Sequence, residues 1–385
     1  MKIGFICKYP PLTGGVASRT YWLTRALADR GHEVHVITNG NETGEEFKES
    51  LSEEDEYVLT GQKNLSVYLT SFDGMPEIRP QYNPFDIKLA NLALEVIEKH
   101  KLDVIDSWFL IPNSVAGFMV HQITDIPWVV RHGGSDLGVH LASDHFRMLL
   151  KGILKKTDRI ITHANNKEIF NSIGIPDEKM WFTTYSLVNR KYFNASVEAC
   201  EAVPREKPVI MSIGKAGIQK GTYDLLEAFA PLKDKACLVF ITGGPGIDRI
   251  RYRCAELGIS GSVKILPPVP PWRVPSYIRA ATCVVHVERK FSIPHYPIIP
   301  REVMACKRCM LLSWEMYRKY PFLKKDSSVL VVNPLDHQAF SRKLDEVVEN
   351  PSLREAIEEN AYKISETIED YDNYIQNVEK LYGSL

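Results

Sequence analysis

The sequence predicts an α/β protein made of two doubly wound parallel-sheet domains facing each other across a cleft, with a helical tail after the second. Three observations lead there. The chain has 385 residues, and at roughly 150 residues per domain that length suits two cores rather than one. Short apolar runs alternate with stretches of helical periodicity in both halves, as strands joined in parallel by crossover helices do. Between the halves, near 197–207, the periodicity lapses into acids and prolines before a fresh apolar strand begins.

The first half opens with an apolar run at 2–7. Residues 21–30 then space Leu23, Ala26 and Leu27 at helical intervals until Gly31 stops the pattern, and 33–38 reads as a second strand. Strand, glycine-bearing turn, helix and strand within about 38 residues make a βαβ unit, which belongs to a parallel sheet. The rhythm returns at 104–105, 128–131 and 159–162. The second half repeats it with a strand at 208–213, a loop at 214–221, a helix through Phe229, a strand at 236–242 and a glycine turn at 243–246. From 352 to 382 the pattern is helical and highly charged. The expected units are a first domain at 1–200, a second at 206–365, and a final helix at 366–385 packing back toward the first.

Composition narrows the class. With 44% hydrophobic, 25% charged and 10% aromatic residues, the chain is an ordinary globular protein, not a disordered, collagen-like or disulfide-knotted one. Lys and Arg total 47 against 48 Asp and Glu, a formal net charge of -1. No global basic field recruits nucleic acid, so any anion binding must be local. No stretch approaches the ~18 apolar residues of a membrane-spanning helix, and Met1 leads directly into a strand without a signal peptide's layout, so a cytoplasmic chain is expected. The 7 cysteines, an odd number scattered through apolar segments, suit reduced thiols. Cys306 and Cys309 form the one CxxC, which lacks a second pair for zinc and reads as a helix end followed by a buried strand. No metal set is expected. Residues 42–56 hold eight acids and one lysine and read as a solvated loop or helix face without chemistry.

In an open parallel sheet, ligands bind beyond the carboxyl ends of the strands, so the loop after the first strand of each half matters most. In the first, Gly14 and Gly15 allow close approach to a backbone that then opens a helix, whose free N–H groups attract phosphate or a polar sugar edge. The dinucleotide fingerprint GxGxxG is absent. In the second, Lys215 and Lys220 flank a flexible backbone before another helix. Each charge-assisted contact is worth roughly 1.5–3 kcal/mol, so two lysines can hold a diphosphate without a metal. No Ser or Thr directly follows the lysine, which excludes a Walker A loop.

These segments, in this order, resemble the retaining glycosyltransferases of family four with the GT-B fold of two Rossmann-like domains. Gly14-Gly15 followed by Leu27-Ala28-Asp29-Arg30-Gly31-His32-Glu33-Val34 is similar to the family's amino-terminal signature. Arg131-His132-Gly133-Gly134-Ser135-Asp136 resembles its His-Gly-Ser-Asp segment at the cleft. The loop from Gly214-Lys215 to Lys220-Gly221 resembles its phosphate loop, with Lys215 where the family usually has Arg. Glu302-Val303-Met304-Ala305-Cys306 is similar to its Glu-Ala-Met-Ala-Cys helix start.

The resemblance implies a hexosyltransferase that moves a sugar from a nucleotide-diphosphate sugar to an acceptor hydroxyl with retention of configuration, without a metal or other cofactor. A UDP-sugar is the expected donor, ahead of GDP- and ADP-sugars. Lys215 and Lys220 would grip the diphosphate, the backbone near Ile298 and Ile299 would cap the distal phosphate, and Glu302 would accept from the ribose hydroxyls. His132 would point into the cleft near the transferred sugar. The pattern breaks at two places: Lys215 stands where the family usually has Arg, and the family sets a second glutamate eight positions before Glu302, where this chain has Pro294. The nearest upstream carboxylate is Glu288, just after the apolar run 283–287: either the intervening segment loops out and Glu288 is the expected catalytic replacement, or the first carboxylate is missing and the acceptor is handled differently. Lys215 binds phosphate as a point charge where Arg offers a bidentate fork.

The acceptor is a glycan, a lipid-linked sugar or a small molecule. Residues 145–159 space Arg147, Lys151, Lys155 and Arg159 four apart beside Phe146, Leu149, Leu150, Ile153 and Leu154, as a basic amphipathic helix does. Such a helix can rest on the inner face of an anionic membrane; the commoner explanation is a core-packed helix with a wet basic face. Two other readings stay open: a catalytically silent GT-B scaffold that binds a sugar nucleotide, motivated by Pro294, and a sugar-nucleotide epimerase on the same architecture.

Overall fold

The computed structural model describes all residues except 72–82, 135, 184–187, 290–295 and 369. Pro294 and Ser135 therefore lie outside the described residues. The first sheet has seven strands: β1 (Lys2–Ile6), β2 (Glu33–Thr38), β3 (Leu65–Leu69), β4 (Val104–Trp108), β5 (Trp128–Arg131), β6 (Arg159–Thr162) and β7 (Met180–Phe182). The second has six: β8 (Val209–Ile213), β9 (Cys237–Ile241), β10 (Val263–Leu266), β11 (Cys283–His286), β12 (Cys309–Ser313) and β13 (Leu330–Val332). Their orders are β3-β2-β1-β4-β5-β6-β7 and β10-β9-β8-β11-β12-β13, and all the pairings are parallel. Each order reverses beside its first strand, between β1 and β4 and between β8 and β11, and that crevice is where doubly wound sheets bind ligands.

Both faces of each sheet are covered, as parallel sheets require. Along β1, Ile3 and Phe5 join one core while Ile6 joins another; along β5, Val129 belongs to the first and Trp128 and Val130 to the second. This alternation is the two-residue period of a strand. In the second sheet Val209 and Met211 of β8 enter the same core as Ile3 and Phe5, whereas Ile210 faces a third. One hydrophobic core thus runs continuously between the two sheets and fixes the cleft they share.

The helix after β1 spans Gly15–Asp29, starting well before the periodic residues at 21–30. Ala17, Thr20, Tyr21, Thr24, Leu27 and Ala28 keep the three- and four-residue spacing of one helical face, and Trp22 and Leu23 widen the buried surface around it. Its first turn was hidden because polar and small residues there face the cleft. The charged tail resolves into two helices, Pro351–Thr367 and Tyr371–Gly383. The last one lies on the first sheet. Arg131 Nε donates to Asp106 Oδ2 at 2.6 Å and Arg131 Nη1 to the Tyr374 hydroxyl at 2.7 Å, while the Tyr382 hydroxyl donates to Asp106 at 2.6 Å. Arg131 and Asp106 are fully buried, and a buried pair is tolerable only with such additional partners.

All seven cysteines are free. Cys306 caps the helix Ile299–Ala305 and Cys309 opens β12, both buried. No helix among the described residues is long and apolar enough to cross a membrane.

Candidate active site

At the carboxyl ends of the strands, between the two sheets, lies a cavity of about 720 Å³. Its walls include Gly14, Gly15, His132, Lys215, Lys220, Ile298, Ile299 and Glu302. Residues scattered over almost 300 positions meet there because both crevices open toward each other.

The two glycine-bearing loops are built alike. Gly14 has φ 123 and Gly214 has φ 130, a region that only glycine visits without strain. A Cβ built on Gly14, Gly15, Gly214 or Gly217 would meet nothing within 4 Å. The loops therefore present bare backbone to open volume. Behind the first, the helix Gly15–Asp29 turns the N–H groups of its opening residues toward the cavity, with no acid in its first turn, a setting that favours an anion.

Positive charge converges on this volume. Lys8, at the end of β1, packs over the Phe109 ring at 5.3 Å. Burial lowers its pKa and the charge on Lys215 lowers it further. Among the described residues neither Lys8 nor Lys215 is in an ion pair. Lys220 is half-buried and forms an ion pair with Glu288. Glu288 is 1% exposed, and its backbone N–H donates to the Ser313 hydroxyl at 3.0 Å. It sits behind Lys220 and His286, both of which line the cavity, and is not itself part of the cavity wall.

Glu302 faces the cavity from the helix Ile299–Ala305. It is 2% exposed, and among the described residues its Oε2 has no hydrogen-bond partner. Burial raises its pKa to about 8, with the positive charge of Arg19 pulling the other way. Arg19 comes from the other half of the molecule and donates to the Tyr296 carbonyl. The Tyr296 hydroxyl accepts from Asn165 at 2.8 Å. The segment just ahead of Glu302 is thus pinned by both an arginine and an asparagine of the first half.

His132 lines the cavity where β5 ends, 4% exposed. Its Nε2 lies 2.9 Å from the Thr162 hydroxyl and its Nδ1 3.2 Å from the Gly133 carbonyl. Burial lowers its pKa to about 4, so the ring is neutral at physiological pH. Asp136, fully buried, accepts from the Gly133 N–H at 2.6 Å and shapes the turn that follows.

The acidic run at 42–56 fits the sequence reading of a solvated face only in part, with Glu45, Glu46, Glu53, Glu54 and Glu56 exposed. Glu42, Glu49 and Asp55 are buried, and Glu46 and Glu49 line the cavity. Asp55 accepts from Trp272 Nε1 at 2.8 Å and Arg273 Nε at 2.6 Å, fastening this segment to the second half. Burial works to raise the Asp55 pKa, but the Ser52 N–H, Arg273 and Trp272 outweigh it and lower it. Burial lifts the Glu49 carboxyl to about 9, and its Oε2 lacks a partner among the described residues. The run looked solvated because charge density alone does not reveal which acids meet a cation across a cleft.

Lys8, Arg19 and Glu49 are residues that sequence reasoning passed over. Lys8 had a signal, its place directly after the first strand. Arg19 had a weaker one, a single helical turn beyond Gly15. Glu49 had none.

The profile of the Glycosyl transferases group 1 family matches residues 195–364, and that of Glycosyltransferase Family 4 matches residues 13–181. An N-acetyl-alpha-D-glucosaminyl L-malate synthase from Bacillus anthracis is 23% identical over 282 residues, 69% of this chain and 68% of that one. An uncharacterized glycosyltransferase from Methanocaldococcus jannaschii is 24% identical across 99% of this chain and 98% of its own length. Among solved structures, Anabaena HepE in complex with UDP and glucose matches with a TM-score of 0.73 at 15% identity, covering 100% of both chains. A sucrose-phosphate synthase from Thermosynechococcus elongatus gives 0.73 at 16%, covering 100% of this chain and 98% of that one. With both halves matched and the whole fold shared, this chain belongs to the family 4-like, group 1 glycosyltransferases of the GT-B fold.

Proposed function

We propose that this glycosyltransferase moves a hexosyl group from a nucleoside-diphosphate sugar, UDP-sugars foremost, to an acceptor hydroxyl with retention and without a metal ion. The observation that carries the reading is the convergence of Lys8, Lys215 and Lys220 with the partnerless Glu302 Oε2 on one cleft. A diphosphate supplies the anion that Lys8 and Lys215 lack and that Lys220 can share with Glu288, and a ribose hydroxyl supplies a donor for the Glu302 carboxyl oxygen that lacks one. The HepE neighbour solved with UDP and glucose favours uridine.

In this account the diphosphate rests on the Gly14–Gly15 turn and between the lysines, with the backbone at Ile298 and Ile299 along its distal side. Glu288 is the residue that holds Lys220 in place, replacing the expectation that it acts on the sugar. His132, neutral and held by Thr162, shapes the sugar end of the cleft. The bond from the anomeric carbon to the phosphate oxygen breaks while the acceptor oxygen bonds on the same face, and the departing phosphate takes the acceptor proton. Contacts that tighten on the developing phosphate charge speed this step tenfold for each roughly 1.4 kcal/mol they add.

The helix Arg147–Lys156 supports a peripheral membrane role in delivering a lipid-linked acceptor. Leu150, Ile153 and Leu154 are buried, but Met148 and Leu149 are 78% and 58% exposed beside Arg147, Lys151 and Lys155.

The test is turnover. Donors screened against mixed acceptors should give a glycoside whose anomeric coupling by NMR matches the donor's, in the presence of a chelator, and Glu302→Gln should lose that turnover. Inverted product overturns retention, and binding without any Glu302-dependent turnover favours the silent scaffold.

A further inference from the structure

At the opposite end of the first sheet from the cleft, two histidines and a glutamate converge on one point. Glu33 begins β2, His35 follows on the same face, and His100 ends the helix Phe85–His100. His35 Nε2 lies 3.1 Å from Glu33 Oε1, and His100 Nδ1 lies 3.3 Å from that same oxygen. All three ligand-type atoms fall within 4.8 Å of one another. A tetrahedral zinc ion with bonds of about 2.0–2.1 Å sets its ligand atoms about 3.3 Å apart, close to the two nitrogen–oxygen separations.

The far sides of the two rings also converge. His35 Nδ1 lies 3.2 Å and His100 Nε2 3.0 Å from the Tyr68 hydroxyl on β3. Four nitrogen–oxygen contacts need four protons to be hydrogen bonds. Two neutral imidazoles bring two and the Tyr68 hydroxyl brings one. As a hydrogen-bonded ring the set is one proton short unless one imidazole is a cation.

A cation at the inner point removes the shortfall. The inner nitrogens then offer lone pairs, both outer nitrogens carry protons, and both donate to the two lone pairs of the Tyr68 oxygen. This is how metal-bound histidines are oriented by an oxygen partner behind them.

We propose that Glu33, His35 and His100 form a binding site for a zinc-class divalent cation, with Tyr68 behind both histidines and water as the fourth ligand. The ion joins the start of β2 to the end of the helix Phe85–His100. Its place at the amino ends of the strands makes it a structural clamp, separate from the transfer chemistry, so its failure would leave the proposed function standing.

The test uses untagged full-length protein stripped with a chelator and titrated with cobalt(II). One equivalent should bind with the visible spectrum of a tetrahedral ion and be displaced by zinc. Tyr68→Phe should weaken binding about 10- to 100-fold. His100→Gln and Glu33→Gln, at partly exposed side chains, should fold and lose the spectrum. Zinc should raise the thermal midpoint of the unsubstituted chain but not of His100→Gln. A wild-type protein without a tetrahedral cobalt spectrum overturns the proposal, as does a spectrum unchanged in His100→Gln and Glu33→Gln.

Discussion

Lys8 and Lys215 face each other across the cleft, one at the end of β1 and one just past β8, near enough that Lys215 adds to the effect of burial in lowering the Lys8 pKa. Two cations held together in this way cost the unliganded protein stability, and an anion between them reverses the sign. Lys8→Met keeps the chain length and removes the charge. Donor affinity should fall about tenfold to a hundredfold, the loss of one charge-assisted contact, while thermal stability of the free protein holds or rises. A donor dissociation constant unchanged by Lys8→Met would remove Lys8 from the cradle.

Glu302 gives a pH signature. Its carboxyl has a folded-state pKa of about 8, raised by burial, against about 4.3 in an unfolded chain. Between those values the folded state holds a proton that the unfolded state has released, so stability falls as pH rises from about 5 to about 8. Glu302→Gln carries no such proton. Thermal midpoints measured across this range should decline less steeply in the variant than in the parent, and parallel curves would contradict the assigned burial.

The exposed apolar residues of the helix Arg147–Lys156 predict binding to anionic vesicles. A Met148→Ser, Leu149→Ser protein should partition at least about tenfold more weakly, given about 1.5 kcal/mol or more per buried side chain, and soluble turnover should not change. Equal sedimentation of both proteins with vesicles of mixed phosphatidylcholine and phosphatidylglycerol would exclude this surface.

Much of the fold was legible because strands buried on both faces are short unbroken apolar runs. The strands 33–38, 128–131 and 159–162 match their observed bounds. The edge strand β3 was not, since only Leu65 is buried while Ser66, Val67, Tyr68 and Leu69 meet solvent to varying degrees, and such a segment lacks a clear pattern. In the site, Gly14, Gly15, Lys215 and Lys220 stood out because they occupy loops after strands, whereas Glu302 stood out only through the resemblance of its helix start to the family's. Glu49 and the Asp55–Arg273 bond were not legible, and Arg19 was only weakly so. Each depends on where the opposite half of the molecule lies, and that information is absent from local sequence.

Calorimetric titration of the free protein with UDP, GDP and ADP tests the central claim most directly. One of them, UDP first, should bind with a stoichiometry of about one, and Lys220→Ala should weaken it about tenfold to a hundredfold. Heats indistinguishable from dilution for all three diphosphates, or equal affinity in Lys220→Ala, would contradict a donor diphosphate clasped between the two sheets.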